Sequence, residues 1–256
     1  MKYITGFFMS WGNFCSLPCP CKRWDENCKS LMLGFLPSIG LLIGAIWGAV
    51  YFGLVYFSFP FLVVSFIITF MPFALSGFTH VDGFMDCCDA IRSRRPIEER
   101  QRILKDSNTG AFAVICMIFL VLGFYSFLST SISMGIDFVN LVLIAILSRS
   151  VSGLHVLGCK PMGQSQYAAL QPPESAGPTK KQGIILILVQ LIIYLALGFV
   201  FSSFQLATAV IAGATAIGTS IAIFYGRKQL GGMSGDIAGY GIVWGEFAGI
   251  IAMIFC

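Results

Sequence analysis

Charge is what this sequence has least of. Asp, Glu, Lys and Arg together make up only 11% of its 256 residues, whereas ordinary soluble domains carry about 25%. A soluble fold of this length needs a polar surface, and so few charged residues cannot supply one. The composition therefore excludes an ordinary soluble domain. The 57% hydrophobic share and the mean hydropathy of +0.84 instead predict a polytopic membrane protein, because helices satisfy their own backbone hydrogen bonds in lipid.

Three further absences narrow the class. The apolar run YITGFFM near the N-terminus is short, and NFCSLPCPCKRW offers no small-residue cleavage site, so we do not expect a cleaved signal peptide. There is no repeat at a fixed period, which favours one membrane-embedded domain over residues 1–256. The N-terminal cysteines are spaced C-x₃-C-x-C-x₆-C and lack the C-x₂-C pairs of zinc sites, which favours free thiols.

What the sequence has in abundance is long apolar runs. They predict an all-α bundle with about seven transmembrane helices. The seven stretches cover residues 36–57, 59–79, 111–130, 136–158, 183–202, 204–225 and 237–255. A segment of 35 residues precedes the first stretch.

The basic residues predict the orientation of this bundle. Fifteen of the sixteen Lys and Arg lie in residues 1–35 and in the long connections 80–110, 159–182 and 226–236. The short connections at 58, 131–135 and 203 contain none. By the positive-inside rule, the N-terminus and the long connections face the cytoplasm and the C-terminus lies outside. The distribution of Lys and Arg thus indicates how the protein is oriented in a cell membrane, and we expect no nucleic-acid partner. The sequence leaves the oligomeric state open.

Carboxylates gather in the first long connection, within SGFTHVDGFMDCCDAIRSRR (76–95). If residues 80–90 form a helix, Asp82, Asp86 and Asp89 share one face. Like charges on one stripe are unfavourable unless a cation neutralises them. Oxygen-only ligands suit Mg²⁺, which often completes its shell with substrate phosphates. The pattern predicts a divalent metal and a phosphate at the cytoplasmic border, in an active-site loop over 80–110.

A solvated loop is the alternative, in which the three aspartates pair with the arginines that follow them. Two neighbouring residues have open roles. Gly83 would let a phosphate approach closely or would serve helix packing. His80 points away from the metal face in the helical arrangement, and it either reaches a substrate from ahead of the helix or is structural.

Charged residues inside or beside the later apolar stretches also call for partners. Arg149 and Glu246 fall within stretches and need a partner or a polar cavity. We expect Arg149 to hold a phosphate or to pair with a site carboxylate. Asp236 opens the last stretch among glycines, either as a site residue or as an acid stabilised by the helix N-terminus.

Several motifs resemble those of one family. THVDGFMDCCDAI and LKDSNTGAF resemble the H-x-D-G-x-x-D-x-x-D and K-D-S-R-x-G-A-F signatures of the cobalamin synthases, or adenosylcobinamide-GDP ribazoletransferases. SLPCP, LPSIGLLIG, LSRS and GGMSGDIAG are similar to further motifs of that family, in the same order from residue 17 to 246. The chain departs from the pattern at Asn108, where the family usually has Arg, at Ser234 for Thr, and at Val243 for Glu.

The resemblance implies a Mg²⁺-dependent membrane transferase. A hydroxyl of α-ribazole, or of its 5′-phosphate, would attack the cobinamide-linked phosphorus of adenosylcobinamide-GDP. GMP would leave, and adenosylcobalamin or its 5′-phosphate would form. The predicted metal ligands are Asp82, Asp86 and Asp89; the catalytic residues are Asp89, Lys105 and Asp106; the substrate contacts are His80, Gly83, Ser107, Arg149, Asp236 and Glu246.

Two rival functions fit the sequence less well. A CDP-alcohol phosphotransferase carries D-G-x₂-A-R followed by G-x₃-D-x₃-D, but Met85 and Asp86 stand where Ala and Arg are needed, and the second half does not occur. A transporter would use Glu246, Asp236 and Arg149 in a translocation path. Transporter sites usually lie near the midplane in broken helices, whereas these carboxylates concentrate at a border.

Overall fold

A computed structural model describes residues 1–163 and 178–256, which fold into helices joined by turns, with no β-strand in these two ranges. The all-α prediction is confirmed for this part of the chain. The middle of the long connection predicted at 159–182 lies outside the described residues. The helices are α1 (Lys2–Phe14), α2 (Lys29–Gly34), α3 (Leu36–Tyr56), α4 (Phe61–Leu75), α5 (Thr79–Arg92), α6 (Ile97–Ile103), α7 (Ala111–Met134), α8 (Phe138–Gly158), α9 (Lys180–Phe201), α10 (Gln205–Leu230) and α11 (Gly235–Met253).

Five of the described helices are long and apolar enough to cross a membrane: α3, α7, α8, α9 and α10. Large apolar side chains cover their outer surfaces, for example Phe119 on α7 and Ile192 and Val200 on α9. A soluble monomer rarely exposes so much apolar surface. These helices indicate an integral membrane protein.

The predicted count of seven spans is not confirmed. The described helices give five spans, or six if α4 and α5, which meet at 86°, are counted as one broken or re-entrant span. By itself α4 has only 15 residues, too few to cross about 30 Å of hydrocarbon. Although α11 has 19 residues, Asp236, Glu246 and its glycines lower its hydropathy, and it is not among the five.

The sharp bend between α4 and α5 comes from two consecutive left-handed residues. Gly77 has φ +63° and Phe78 has φ +60°, so the backbone leaves the helical path before α5 begins. The backbone N–H of Ser16 donates to the carbonyl of Leu75 at 2.8 Å. This bond fastens the chain after α1 to the bend, so the N-terminal segment lies beside the start of α5.

Helices α8 and α11 occupy the centre of the bundle. Most of α8 is buried, and α3 lies so close to it that a Cβ at Gly40 would come within 2.6 Å of the Ala145 carbonyl oxygen. Helix α11 packs against α10, α5, α8 and α7. Its polar first turn is therefore carried to the side of α5.

The N-terminal 35 residues were predicted only as a cytoplasmic segment, but they fold on the bundle. Helix α1 packs against α2 and α3, and the Trp11 indole donates to the Leu17 carbonyl at 3.1 Å. No disulfide joins any of the nine cysteines; that the N-terminal four bind no metal stays a prediction.

Candidate active site

The aspartate-bearing segment is helical, as predicted. Helix α5 runs from Thr79 to Arg92, so the spacing of its three aspartates puts them on one face. Asp82 is exposed, whereas Asp86 and Asp89 are half-buried. The opposite face of α5 is buried in the bundle. The carboxylate face therefore points away from the core.

Helix α11 adds a fourth carboxylate to this face. A Cβ at Gly83 would lie 2.8 Å from the Asp236 Cα, and one at Gly239 would lie 2.9 Å from the His80 carbonyl oxygen. The missing side chains let α5 and the start of α11 touch backbone to backbone. As a result, the negative charge of Asp236 repels that of Asp86, and the negative charges of Asp82 and Asp236 repel each other. We call Asp82, Asp86 and Asp236 the carboxylate cluster.

Gly83 is thus required for the packing of α5 on α11, which was one of its two predicted roles. Its predicted substrate contact stays a prediction. Asp236 also keeps a local helix role, because the hydroxyl of Ser234 donates to its Oδ2 at 3.2 Å and accepts from the Ile237 N–H. This arrangement fixes the Asp236 carboxylate in the first turn of α11.

The ion pairs identified among residues 1–163 and 178–256 do not include the carboxylate cluster. Arg95 and Arg102, which follow α5, pair with Glu99 rather than with a carboxylate of the cluster. The structure therefore does not show the alternative arrangement, in which the α5 aspartates form ion pairs with the arginines that follow them. Neighbouring carboxylates without a counter-charge repel each other and favour an added cation.

The carboxylate cluster fits only part of a metal coordination shell. No three His, Cys, Asp or Glu side chains within 1–163 and 178–256 are arranged to hold a metal ion by themselves. Mg²⁺ does not require such a cage, since one or two carboxylates plus water and substrate phosphates satisfy it. Asp82 and Asp86, one helical turn apart, match that smaller requirement.

Asp89 has other partners. Its Oδ2 accepts from the Gly110 N–H at 2.6 Å and its Oδ1 from the Ala113 N–H at 3.0 Å. These N–H groups belong to the N-terminus of α7, where backbone donors are unpaired and a negative charge is favourable. Asp89 therefore caps α7 from α5, and its roles as metal ligand and general base stay predictions.

The cap also positions the segment that holds three predicted site residues. Lys105, Asp106 and Ser107 are exposed between α6 and α7. Asp106 Oδ1 accepts from the Asn108 backbone N–H at 3.0 Å and from its side-chain amide at 2.7 Å. These bonds hold the pKa of Asp106 below its usual range. Asn108, where the family pattern has Arg, thus shapes this turn.

Arg149 and Glu246 are paired with each other. Arg149 Nη1 lies 2.6 Å from Glu246 Oε1, and the two residues are 0% and 2% exposed. The same Nη1 donates to the Ala145 carbonyl at 3.1 Å and to Ser148 Oγ at 3.3 Å. Nε and Nη2 have no hydrogen-bond partner among the described residues. The pairing satisfies the need of two charges inside apolar helices, and their predicted substrate contacts stay predictions.

His80 lies in the first turn of α5, inside the structure. It is 7% exposed, and its ring stacks on Phe14 of α1 with centroids 6.4 Å apart. Its Nε2 has no hydrogen-bond partner in the described chain. The sequence offered no signal for Phe14 as a neighbour of the site, because this contact depends on how α1 folds back.

An integral membrane bundle with carboxylates gathered at the junction of two helices defines the class of protein: a helical membrane protein with a carboxylate-rich polar site. The comparisons with known proteins then specify the family. A family model described as "CobS: Cobalamin-5-phosphate synthase" matches residues 6–254. The chain belongs to this cobalamin-5-phosphate synthase family, whose curated relatives are named as transferases.

Several of those relatives cover nearly the whole chain. An adenosylcobinamide-GDP ribazoletransferase from Clostridium perfringens strain 13 is 35% identical over 96% of this chain and 95% of its own. One from Clostridium botulinum strain Alaska E43 is 32% identical over 97% and 96%. One from Geobacillus kaustophilus strain HTA426 is 32% identical over 88% and 82%. No solved structure matches. The matches give no support to a phospholipid synthase or a transporter.

Proposed function

We propose that the chain is an adenosylcobinamide-GDP ribazoletransferase. It joins adenosylcobinamide-GDP to α-ribazole or α-ribazole 5′-phosphate, giving adenosylcobalamin or its 5′-phosphate and GMP. The family match over residues 6–254 and the names of the relatives support this activity. The single observation in the structure that carries it is the carboxylate cluster, which takes part in none of the ion pairs identified among the described residues, because a pyrophosphate-bearing substrate needs a cation between itself and these carboxylates.

The reaction is a phosphoryl-type transfer. A ribazole hydroxyl forms a new bond to the cobinamide-linked phosphorus, the bond from that phosphorus to GMP breaks, and the hydroxyl proton passes to an aspartate of the site. Asp82 and Asp86 would hold Mg²⁺, which when bound offsets the charge of the pyrophosphate. Lys105 is the proposed phosphate contact. Asp89 keeps the segment before α7 beside α5.

In this proposal α4 and α5 together form one broken span and α11 also crosses the membrane. The site and the N-terminus then face the cytoplasm, and the C-terminus lies outside. Single-cysteine variants that retain only Cys21 or only Cys256 test the orientation with a membrane-impermeant maleimide. Cys256 is exposed and Cys21 is half-buried in the N-terminal segment. Intact cells should label Cys256, and Cys21 should react only after permeabilisation. The reverse pattern would invert the proposed topology.

The activity is tested by incubating membranes that contain the chain with adenosylcobinamide-GDP, α-ribazole and Mg²⁺. Chromatography should show a cobamide and GMP in equal amounts, and chelation of Mg²⁺ should stop both. Asp82→Asn should abolish the reaction, whereas Glu98→Gln, an exposed acid on α6, should leave it unchanged. Absence of both products from the wild-type chain would overturn the proposed function.

A further inference from the structure

A second feature adjoins the carboxylate cluster. A cavity of about 290 Å³ lies between the N-terminal segment and the α5–α11 contact, and its walls include Phe14, Trp24, Lys29, His80 and Asp236. We call it the N-terminal cavity. Since Asp236 belongs to both, the cavity and the cluster meet at this carboxylate. A ligand in the cavity would therefore have one end at the reacting groups.

The walls of the N-terminal cavity suit a flat aromatic group. The rings of Phe14 and His80 are nearly parallel, at 23°, and Trp24 is 56% exposed despite its large apolar surface. Aromatic side chains that line a recess stack on heteroaromatic bases without regard to their hydrogen-bonding pattern. The exposed indole thus gains a partner when a base enters.

His80 contributes a further aromatic side chain to the wall of the cavity. It lines the cavity, it is more than nine-tenths buried, and its Nε2 has no hydrogen-bond partner among the described residues. Nε2 is out of reach of solvent in this structure, so the cavity presents the ring of His80, and not this atom, to a ligand.

Size and charge then select among the substrates. About 290 Å³ is at the lower limit of small-ligand pockets, which span about 300–1,000 Å³, so a nucleoside fits and a corrinoid does not. Lys29 is already paired with Glu26, and Asp236 contributes a negative charge. The walls therefore favour an uncharged nucleoside over the guanosine diphosphate part of the other substrate.

We propose that the N-terminal cavity receives the acceptor nucleoside of the reaction, α-ribazole, with its base against Trp24 and the Phe14–His80 pair and its ribose towards Asp236. The inference rests on the proposed function and deepens it, because it gives the two substrates separate sites. It also explains why residues 1–35 fold onto the start of α5, since they form one wall of the cavity. Phe14 and Trp24 are specificity-determining residues in this arrangement.

The test measures both Michaelis constants in variants of the full-length chain. Trp24→Ala and Phe14→Ala should each raise the KM for α-ribazole about tenfold, equivalent to about 1.4 kcal/mol, and leave the KM for adenosylcobinamide-GDP unchanged. Trp24→Phe keeps an aromatic ring and should retain most of the affinity. The matched control is Tyr3→Ala, which removes an exposed ring from the same helix as Phe14 and should change neither constant.

Two outcomes overturn the inference and are distinct from a failure of the proposed function. If Trp24→Ala and Phe14→Ala fold and turn over but leave the α-ribazole KM unchanged, the cavity does not hold the acceptor. If they raise the KM for adenosylcobinamide-GDP, alone or equally, the cavity holds the activated substrate or affects both sites. Lack of any product from the wild-type chain would instead refute the proposed function itself.

Discussion

The ion pair between Arg149 and Glu246 makes a quantitative prediction. The two side chains meet at 2.6 Å and are almost entirely buried, at 0% and 2% exposure. Arg149→Met would leave the Glu246 carboxylate buried without its partner, and Glu246→Gln would do the same to the guanidinium. Removing one partner of a buried pair typically destabilises a protein by about 3–5 kcal/mol. We expect a loss of that size in each single variant.

The double variant Arg149→Met with Glu246→Leu should recover most of this loss. It removes both charges and fills the space with apolar groups, an exchange that is often neutral in other proteins. The two single effects should therefore be non-additive by at least about 2 kcal/mol. A control on the surface is Glu99→Gln, which removes the partner of the exposed Arg95 at 3.9 Å and should cost no more than about 1 kcal/mol.

Reversible unfolding in mixed micelles, followed by circular dichroism, measures these free energies. Single variants as stable as the wild type, or single effects that simply add, would refute the reasoning that the two charges depend on each other. The double variant also addresses the predicted substrate contacts. If it folds and retains the KM for adenosylcobinamide-GDP, the pair is structural. If it folds but loses activity, a direct role in the reaction gains support.

Three further predictions concern the groups around the carboxylate cluster. Asp89→Asn keeps only one acceptor oxygen for the two N–H groups of α7, so the free energy of unfolding should fall by about 1–3 kcal/mol. The Mg²⁺ concentration for half-maximal activity should stay the same. A higher Mg²⁺ requirement would indicate that Asp89 is a metal ligand. Gly83→Ala would set a Cβ 2.8 Å from backbone at the start of α11 and should reduce kcat. In Gly213→Ala the added Cβ would meet no atom of a neighbouring helix within 4 Å, and kcat should not change. The hydrogen bonds from Asn108 hold the pKa of Asp106 below its usual range, so their turn contributes stability at neutral pH that is lost only as the pH falls through the lowered pKa. An NMR titration of the Asp106 carboxyl group with a midpoint in or above the ordinary range of aspartate would contradict this.

The helical spacing of the α5 aspartates could be predicted, whereas the partner of each could not. Asp82, Asp86 and Asp89 occur every three or four residues, and a helix of 3.6 residues per turn then puts them on one face. Their spacing does not distinguish a carboxylate that faces a substrate from one that faces another helix. Asp89 accepts hydrogen bonds from the N–H groups of α7 because α5 and α7 pack side by side. The local sequence does not predict this packing.

The number of membrane spans shows a similar division. Apolar runs identified the helices well, since hydropathy over about 20 residues is a local property. The break at Gly77 and Phe78 and the short α4 were absorbed into one predicted span, because the run of apolar residues continues through them. A change of backbone direction leaves little trace in hydropathy.

By itself, the sequence determined that the protein is helical and belongs in a membrane, which motifs it carries, and which residue types could hold a metal and a phosphate. These properties follow from composition and from the constant geometry of a helix. Only the tertiary structure decided that Asp236 joins Asp82 and Asp86, that Arg149 pairs with Glu246, and that Phe14 and Trp24 line a cavity beside His80. The reason is that each of these contacts joins residues far apart in the chain, and close packing at Gly83 and the fold-back of α1 bring them together.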